Sequence, residues 1–409
     1  MHKLNSIELF SGTGGLALGL SDSGFHHELL VEFNKDAINT LRYNHDNGQK
    51  QIKKWNILHS DVRQLSFLEF REKVDVVAGG PPCQPFSLAG KHKALSDSRD
   101  MFPQAVRAVR ETLPKAFIFE NVKGLLRESF STYFRYIILQ LTYPEVTKNR
   151  NEVWESHLSK LEKIHTKDYD FGTKYNVLFR LLNAADYGVP QKRERVFIVG
   201  FKSDLDIEWN FPKATHSRDS LLWSQWVTGE YWNIISEFPD GKPVAPYGIK
   251  DKLPKKYGMF SPIEEPWVTL RQAIVDLPDP TDNNNLIPNH EFRGGAKSYL
   301  GHTGSPIDEP SKTLKAGDHG VPGGENMIRF NDDSIRYLTT REAARVQTFP
   351  DDYFITGSWT ESMRQIGNAV PVTLSKVVSK SIAEKLGEKC CYRCSDKYFG
   401  PNLRGFGNL

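Results

Sequence analysis

At 409 residues the chain is longer than one ordinary domain, and its 39% hydrophobic content is enough for a packed core, which excludes wholesale disorder. No apolar run reaches the roughly 20 residues of a membrane span, and four cysteines do not make a disulfide scaffold. A net charge of +3 is too small to hold a polyanion by bulk field.

In chain order, Ser6–Phe10, Glu28–Phe33, Val74–Ala78, Ala116–Phe119, Tyr175–Phe179 and Arg195–Gly200 read as strands, with a short further segment at Ile57–Val62. The N-terminus enters the first of them with no signal-peptide pattern, so a soluble intracellular protein is expected. Amphipathic segments such as Asp36–Asn44 and Gln104–Leu113 lie between the strands. This alternation predicts an α/β fold: a mostly parallel sheet with helices on both faces. Residues 143–172 are polar and charged, and predict a surface helical insertion.

Near residue 202 the texture changes. Residues 202–335 are rich in Pro, Gly and Asn and hold five of the eight tryptophans. They carry 14 Lys or Arg and 20 Asp or Glu, whereas the flanks carry 28 against 23 and 11 against 7. A second, loop-rich and acidic domain is expected there, so any polyanion would be held by local patches. Helical patterning returns at Thr339–Gln347 and Thr373–Leu386, and the latter would complete the first domain. There is no internal repeat.

The first strand ends in Phe10-Ser11-Gly12-Thr13-Gly14-Gly15-Leu16-Ala17. Gly12, Gly14 and Ala17 fit the dinucleotide-binding fingerprint, in which glycines let the backbone turn tightly against a cofactor. Glu32 ends the second strand, twenty residues after Gly12, where a carboxylate can accept from both hydroxyls of a ribose. Asp61 is placed to receive an adenine amino group, and Phe33 to lie against the adenine face. An ordinary strand-to-helix turn is the plainer reading of the loop alone, and the fingerprint does not separate NAD from S-adenosylmethionine.

Gly79-Gly80-Pro81-Pro82-Cys83-Gln84-Pro85-Phe86-Ser87 follows the strand at 74–78. A cysteine just beyond a strand's C-terminal end lies where open α/β sheets bind ligands. Three prolines within five residues stiffen the segment, which suits a nucleophile that must keep one geometry; the bland alternative is a small buried apolar cysteine. Glu120-Asn121-Val122 follows the next strand, so Cys83 and Glu120 should meet in one crevice. A carboxyl beside apolar strand ends is a candidate acid with a raised pKa; a helix cap or structural ion pair is the alternative. In Gln191-Lys192-Arg193-Glu194-Arg195 an extended chain would set Arg193 and Arg195 on one side, ready to hold a carbonyl oxygen and to fix a nearby thiolate or carboxylate. The alternative is a solvated charge run.

With these residues in order, the chain resembles the DNA cytosine-5 methyltransferases of bacterial restriction–modification systems. Pro82-Cys83-Gln84 is similar to the nucleophile motif, Asp97-Ser98-Arg99 to the stretch after a mobile catalytic loop, and Glu120–Val122 and Gln191–Arg195 to the next two motifs. Arg341–Gln347 with Phe349-Pro350 resembles the segment that organises the small domain. Gln365–Pro371 resembles the last motif, which returns to the cofactor. The insertion at 143–172 and the cysteine tail depart from the family pattern.

The resemblance implies a Rossmann-like catalytic domain at 1–201 with 360–409, and a target-recognition domain at 202–359, divided into a variable reader (202–335) and an organising segment (336–359). It implies S-adenosyl-L-methionine as cofactor, leaving S-adenosyl-L-homocysteine. Phe10, Gly12, Gly14, Gly15, Glu32, Phe33, Asp61, Val62, Pro82, Asn368, Ala369 and Val370 would hold it. Cys83, Glu120, Arg193 and Arg195 would be catalytic, and Gln84, Ser87, Lys91, Arg99 and Thr313 would contact DNA. Residues 84–99 would form the closing loop, with Lys93 a further phosphate contact and Lys315 and His319 near the DNA. The partners implied are double-stranded DNA and a functionally paired restriction endonuclease, for a monomer in the bacterial cytoplasm at the nucleoid, with no membrane and no metal. Cys390, Cys391 and Cys394 offer three thiols without an obvious fourth ligand. The competing readings are a tRNA cytosine methyltransferase, an NAD- or FAD-dependent oxidoreductase and a non-catalytic DNA-binding relative. The length of 202–335 argues against the first. Cys83, Glu120 and the arginines argue against the other two.

Overall fold

The computed structural model describes residues 3–82, 100–167, 172–233, 241–258, 260–282, 285–300, 302–316 and 326–396, with side chains up to residue 388. Seven strands form the main sheet: β1 (Leu4–Leu9), β2 (Phe25–Glu32), β3 (Ile57–His59), β4 (Val76–Gly79), β5 (Ala116–Val122), β6 (Tyr175–Asn183) and β7 (Glu194–Lys202). Their order is β3-β2-β1-β4-β5-β7-β6. The β1–β2, β2–β3, β1–β4 and β4–β5 pairs are parallel, and β7 runs antiparallel to both of its neighbours. The order turns back at β1 and β4, which places a crevice beyond their C-terminal ends.

The helices are α1 (Gly15–Asp22), α2 (Lys35–Asp46), α3 (Phe102–Thr112), α4 (Ser131–Thr142), α5 (Trp154–Lys167), α6 (Arg218–Trp226), α7 (Ile249–Tyr257), α8 (Leu270–Ile274), α9 (Thr340–Val346), α10 (Trp359–Asn368) and α11 (Val372–Asp396). The buried strands β1 and β4 alternate their side chains between two cores. Ile7, Leu9 and Val77 face a core shared with α3, α4 and α5, whereas Leu4, Val76 and Ala78 face one shared with α1 and α11. The helix expected at Thr373–Leu386 is thus part of α11, which covers one sheet face beside α1. The insertion is helical, as α5, and its apolar side buries Leu158, Leu161 and Ile164 in the α4 core.

A third core joins α1 and α2 to α8, α9 and α10. The loop-rich region is therefore packed against the first domain through Leu270, Ile307, Leu314 and Ile328. Trp226, Trp232 and Trp267 of this region form a separate cluster with Leu221 and Tyr231, in which Trp226 and Trp232 meet at 5.2 Å, whereas Trp209 packs into the core shared with α1 and α11. The Arg271–Asp308 ion pair, 2.6 Å and almost wholly buried, pins α8 to residue 308, and Tyr231 donates to the same carboxylate.

One boundary matters for the site. Glu120 and Asn121 do not follow the strand; they lie within it. The β5–β7 ladder runs unbroken from Ala116 opposite Phe201 to Val122 opposite Arg195, so two polar residues are carried along by backbone pairing.

Candidate active site

The glycine loop leaves β1 with Phe10 and Gly12 both at positive φ (57° and 53°), and Gly14 at φ 84° caps α1. The space where a Gly12 side chain would stand is open, whereas a Cβ on Gly15 would lie 2.2 Å from the Val370 carbonyl oxygen. The last motif thus returns to the loop, as its resemblance implied. Ala369 and Val370 are buried there, and Asn368 is exposed. Ser375 and Tyr353 fasten the loop and its helix: the Ser375 hydroxyl donates to the Leu16 carbonyl at 2.7 Å, and the Tyr353 hydroxyl to the Thr13 carbonyl at 2.7 Å.

Glu32 lies against this loop. Its Oε2 accepts from the Gly12 amide at 2.7 Å, and its Oε1 from the Phe33 and Asn34 amides at 2.9 and 2.6 Å. Phe33 is 69% exposed just beyond it. Asp61 caps the turn beginning at Val62 and is gripped by Arg63, whose Nε lies 3.0 Å from both carboxylate oxygens. That pair and the Arg63 amide hold the Asp61 carboxyl below its usual range. Val62 itself is buried in the α3-side core.

A residue the sequence reading passed over lies beneath the loop. Glu8 of β1 is 1% exposed and neither of its carboxylate oxygens has a hydrogen-bond partner, although the Ala17 amide lies near enough to offset part of its burial. Burial pushes its pKa well up, and the neighbouring Glu32 adds to the shift. The Thr13 hydroxyl is likewise buried and unpartnered. The signal was present: an acid in a strand buried on both faces is out of place unless it has a task.

At the ends of β4 and β5, Gly80 passes within 3.5 Å (Cβ position) of the Glu120 carboxylate, and the Asn121 amide donates to the Pro81 carbonyl at 2.9 Å. The Met101 amide donates to the Pro82 carbonyl at 3.1 Å. The stiff proline pair is therefore tied down immediately before Cys83. Cys83, Gln84, Ser87, Lys91, Lys93 and Arg99, with the whole of 83–99, lie outside the described residues, as does His319.

Glu120 is 7% exposed, and its Oε1 lies 2.8 Å from Arg195 Nε. The contact is a charge pair rather than an aligned hydrogen bond, since that oxygen has no hydrogen-bond partner of its own. Burial raises the pKa of Glu120; Arg195 and then Arg193 pull it back, and the net direction is up. The register explains the pairing, because Arg195 lies opposite Val122 on the neighbouring strand and so close to Glu120.

Arg193 does not share the outlook of Arg195. The Arg193 amide bonds back to the Gln191 carbonyl at 3.0 Å, which breaks the extended chain just before β7. Its guanidinium is fully buried and donates to the carbonyls of Leu314, Gly367 and Ala369 at 3.1, 2.7 and 2.9 Å. It thus clamps residue 314 and the last motif together. Thr313, expected near DNA, donates to the Lys192 carbonyl at 2.7 Å, so the 311–316 segment lies along the same stretch. Gln347, from the segment after α9, donates to the Ile366 and Ala369 carbonyls at 2.7 and 3.2 Å. Among the described residues no group of three or more His, Cys, Asp or Glu is placed to hold a metal.

The glycine loop follows β1 and the Glu120–Arg195 pair lies at the end of β5, with the end of β4 between them. The family model for C-5 cytosine-specific DNA methylases matches residues 4–143 and 146–384. The chain is 34% identical to the Type II methyltransferase M.Eco47II of Escherichia coli over 93% of this chain and 79% of that protein. It is 33% identical, with the same two coverages, to the Type II methyltransferase M.PspPI of Psychrobacter sp.. Among solved structures, the methyltransferase EhMeth of Entamoeba histolytica shares the fold with a TM-score of 0.53 at 13% identity, over 94% of this chain and 99% of that one. The chain belongs to the C-5 cytosine-specific DNA methylase family.

Proposed function

We propose that this chain transfers a methyl group from S-adenosyl-L-methionine to carbon 5 of a cytosine flipped out of a specific duplex DNA sequence. The buried Glu120–Arg195 pair beside the tethered Pro81-Pro82 carries the reading. A buried carboxyl with a raised pKa beside a guanidinium is suited to hold a proton against a polar ring edge. The residues fit the cofactor too: open space over Gly12, an exposed aromatic at Phe33, and the orphaned Glu8 and Thr13 under the loop. Phe10, Gly12, Gly14, Gly15, Glu32, Phe33, Asp61, Val62, Pro82 and the 368–370 segment would hold it. Bound, it supplies an electrophilic methyl group on a sulfonium.

Carbon 5 of cytosine is a weak nucleophile. The Cys83 thiolate adds to carbon 6, and Glu120 holds a proton at N3 as electron density moves onto the ring. Arg195 binds O2. Carbon 5 would then take the methyl group as the S–CH3 bond breaks and S-adenosyl-L-homocysteine leaves, lose its proton to a base the sequence does not name, and the C6–S bond would break to release Cys83. Nearby positive charge lowers a thiol below its ordinary pKa of about 8.5; Arg195 is the candidate source. Because Arg193 spends its guanidinium on three carbonyls, its role is to position the last motif rather than to touch the ring. The cytosine must leave the stack to meet these groups.

The division into 1–201 with 360–409 as catalytic domain and 202–359 as target-recognition domain belongs to this reading. So do a monomeric state, a paired restriction endonuclease and a place at the bacterial nucleoid. The test is covalent trapping. Target DNA carrying 5-fluorocytosine should form a stable adduct with the wild type, because fluorine cannot leave as a proton. Cys83→Ser should form none, should not methylate, and should keep its affinity for S-adenosyl-L-methionine. Full methylation by Cys83→Ser would overturn the mechanism.

A further inference from the structure

At the sheet edge farthest from β3, the last strand β6 pairs with β7 on one side, and among the described residues no strand lies on its other side. An open strand edge is a template for another chain, and proteins usually blunt it with proline, a bulge or inward charge. Tyr175–Asn183 has no proline, and its register with β7 runs without a bulge from Tyr175 opposite Lys202 to Asn183 opposite Glu194. Beside the edge lies a mainly apolar groove of about 840 Å³, walled by α4 and β6.

The faces of β6 alternate. Val177 and Leu181 turn toward the α4 core, and Phe179 meets Phe134 edge-on at 4.7 Å while staying 48% exposed. Leu178 and Leu182 turn to the opposite core, where Arg180 stands exposed, 5.4 Å over the Phe211 ring. A strand added here would put one set of side chains into the groove and the other beside Arg180.

Charge decides the occupant. β6 carries no acid, so a second copy paired antiparallel about a two-fold axis offers no carboxylate to Arg180 in any register. The groove itself adds Arg135, 63% exposed and joined to Glu162 at 3.2 Å, and Lys174. Glu145, an acid near the start of β6, is held by the Thr173 amide at 2.7 Å and by Arg71. We infer that the open edge of β6 binds an extended segment of a partner protein as an eighth strand, with apolar side chains against Val177 and Phe179 and acidic ones opposite Arg180.

The probe is a fluorescein-labelled peptide alternating valine and glutamate, titrated into the full chain and read by anisotropy. Saturable binding is expected, with the alternating valine–lysine peptide about tenfold weaker, the scale of exchanging a favourable for a like-charge contact. Amide exchange of Tyr175–Asn183 should slow in the complex. Arg180→Glu should reverse the preference between the peptides, and Phe179→Asp should weaken both; thermal melts of these surface variants establish folding. The inference is overturned by absent binding, by binding that Arg180→Glu leaves unchanged, or by concentration-dependent self-association through β6 in place of peptide capture.

Discussion

Glu120 and Glu8 are both buried acids with raised pKa values, and their surroundings give them opposite consequences. Glu120 faces Arg195, so its protonated form is kept to a higher pH than an ordinary carboxyl while a counter-charge stands ready. In the proposed mechanism the proton it holds is needed at N3. Single-turnover methylation should therefore fall on the alkaline side as pH rises through the raised Glu120 pKa. Glu120→Gln should lose that limb and slow the chemical step by about 10²-fold or more; a pH–rate profile checks both. Glu8 has no counter-charge. Its folded pKa exceeds its unfolded one, so it weighs least on stability below the ordinary carboxylate range. Above that range the ligand-free protein loses stability at about 1.4 kcal/mol per pH unit until the folded pKa is passed. Glu8→Gln should melt higher than wild type at pH 8 and show a smaller gain at pH 5; equal melting at both would refute a raised Glu8 pKa. Arg63 grips Asp61, so under the proposed cofactor assignment an adenine amino group competes with it. Arg63→Ala should leave cofactor affinity unchanged or strengthen it, whereas Asp61→Ala should weaken it in calorimetry.

The elements that hold these residues were legible in proportion to their hydrophobic period. β1, β4 and β5 are apolar runs with turn residues behind them, and the sequence places β1 and β4 within about two residues and β5 at its first residue. The β5 end was misread because Glu120 and Asn121 look like a strand stop, yet β7 carries the ladder past them. Arg193 was misread for a related reason: alternation implies a shared face only in an extended chain, and a bond from its amide to Gln191 breaks that extension. Nor does spacing reveal which carbonyls a buried guanidinium will find, since those of Leu314, Gly367 and Ala369 are more than a hundred residues away. Gly15 shows what close approach demands. With Val370 O at 2.2 Å from its would-be Cβ, Gly15→Ala must part the loop from the last motif, since neither backbone can yield cheaply. Overpacking of this kind costs about 1–3 kcal/mol. The variant should melt lower and bind S-adenosyl-L-methionine at least about tenfold more weakly, whereas Gly24→Ala, a left-handed turn facing open space, should strain only its own turn and keep cofactor affinity.

Across the whole molecule, the loop-rich region shares a core with α1 and α2, and Arg193 binds its residue 314 to the last motif. The proposed reader and cofactor loop are thus mechanically joined. The crevice receives one cytosine, and any cytosine looks alike there, so target choice must come from groups that reach base edges in the grooves. Residues 202–335 have an excess of acid, so phosphate contact has to come from local patches such as α7, where Lys250, Lys252 and Lys255 are exposed. Lys256 is joined to Asp219 at 2.6 Å and is less available. Replacing 202–335 with the matching segment of a relative should transfer that relative's target sequence, provided the residues that share a core with α1 and α2 (Leu270, Ile307, Leu314 and Ile328) are kept apolar. Reversing Lys250, Lys252 and Lys255 to glutamate should weaken binding to all sequences alike and flatten the dependence of log affinity on log salt, because fewer counterions are released. The same reversal at Lys256 alone should do less to DNA and more to the α6–α7 contact. Methylated-base sequencing of the chimera and salt titration of the lysine variants separate the two roles. A chimera that keeps the original target, or a lysine reversal that changes sequence preference while sparing overall affinity, would show that reading and phosphate contact are not divided in this way.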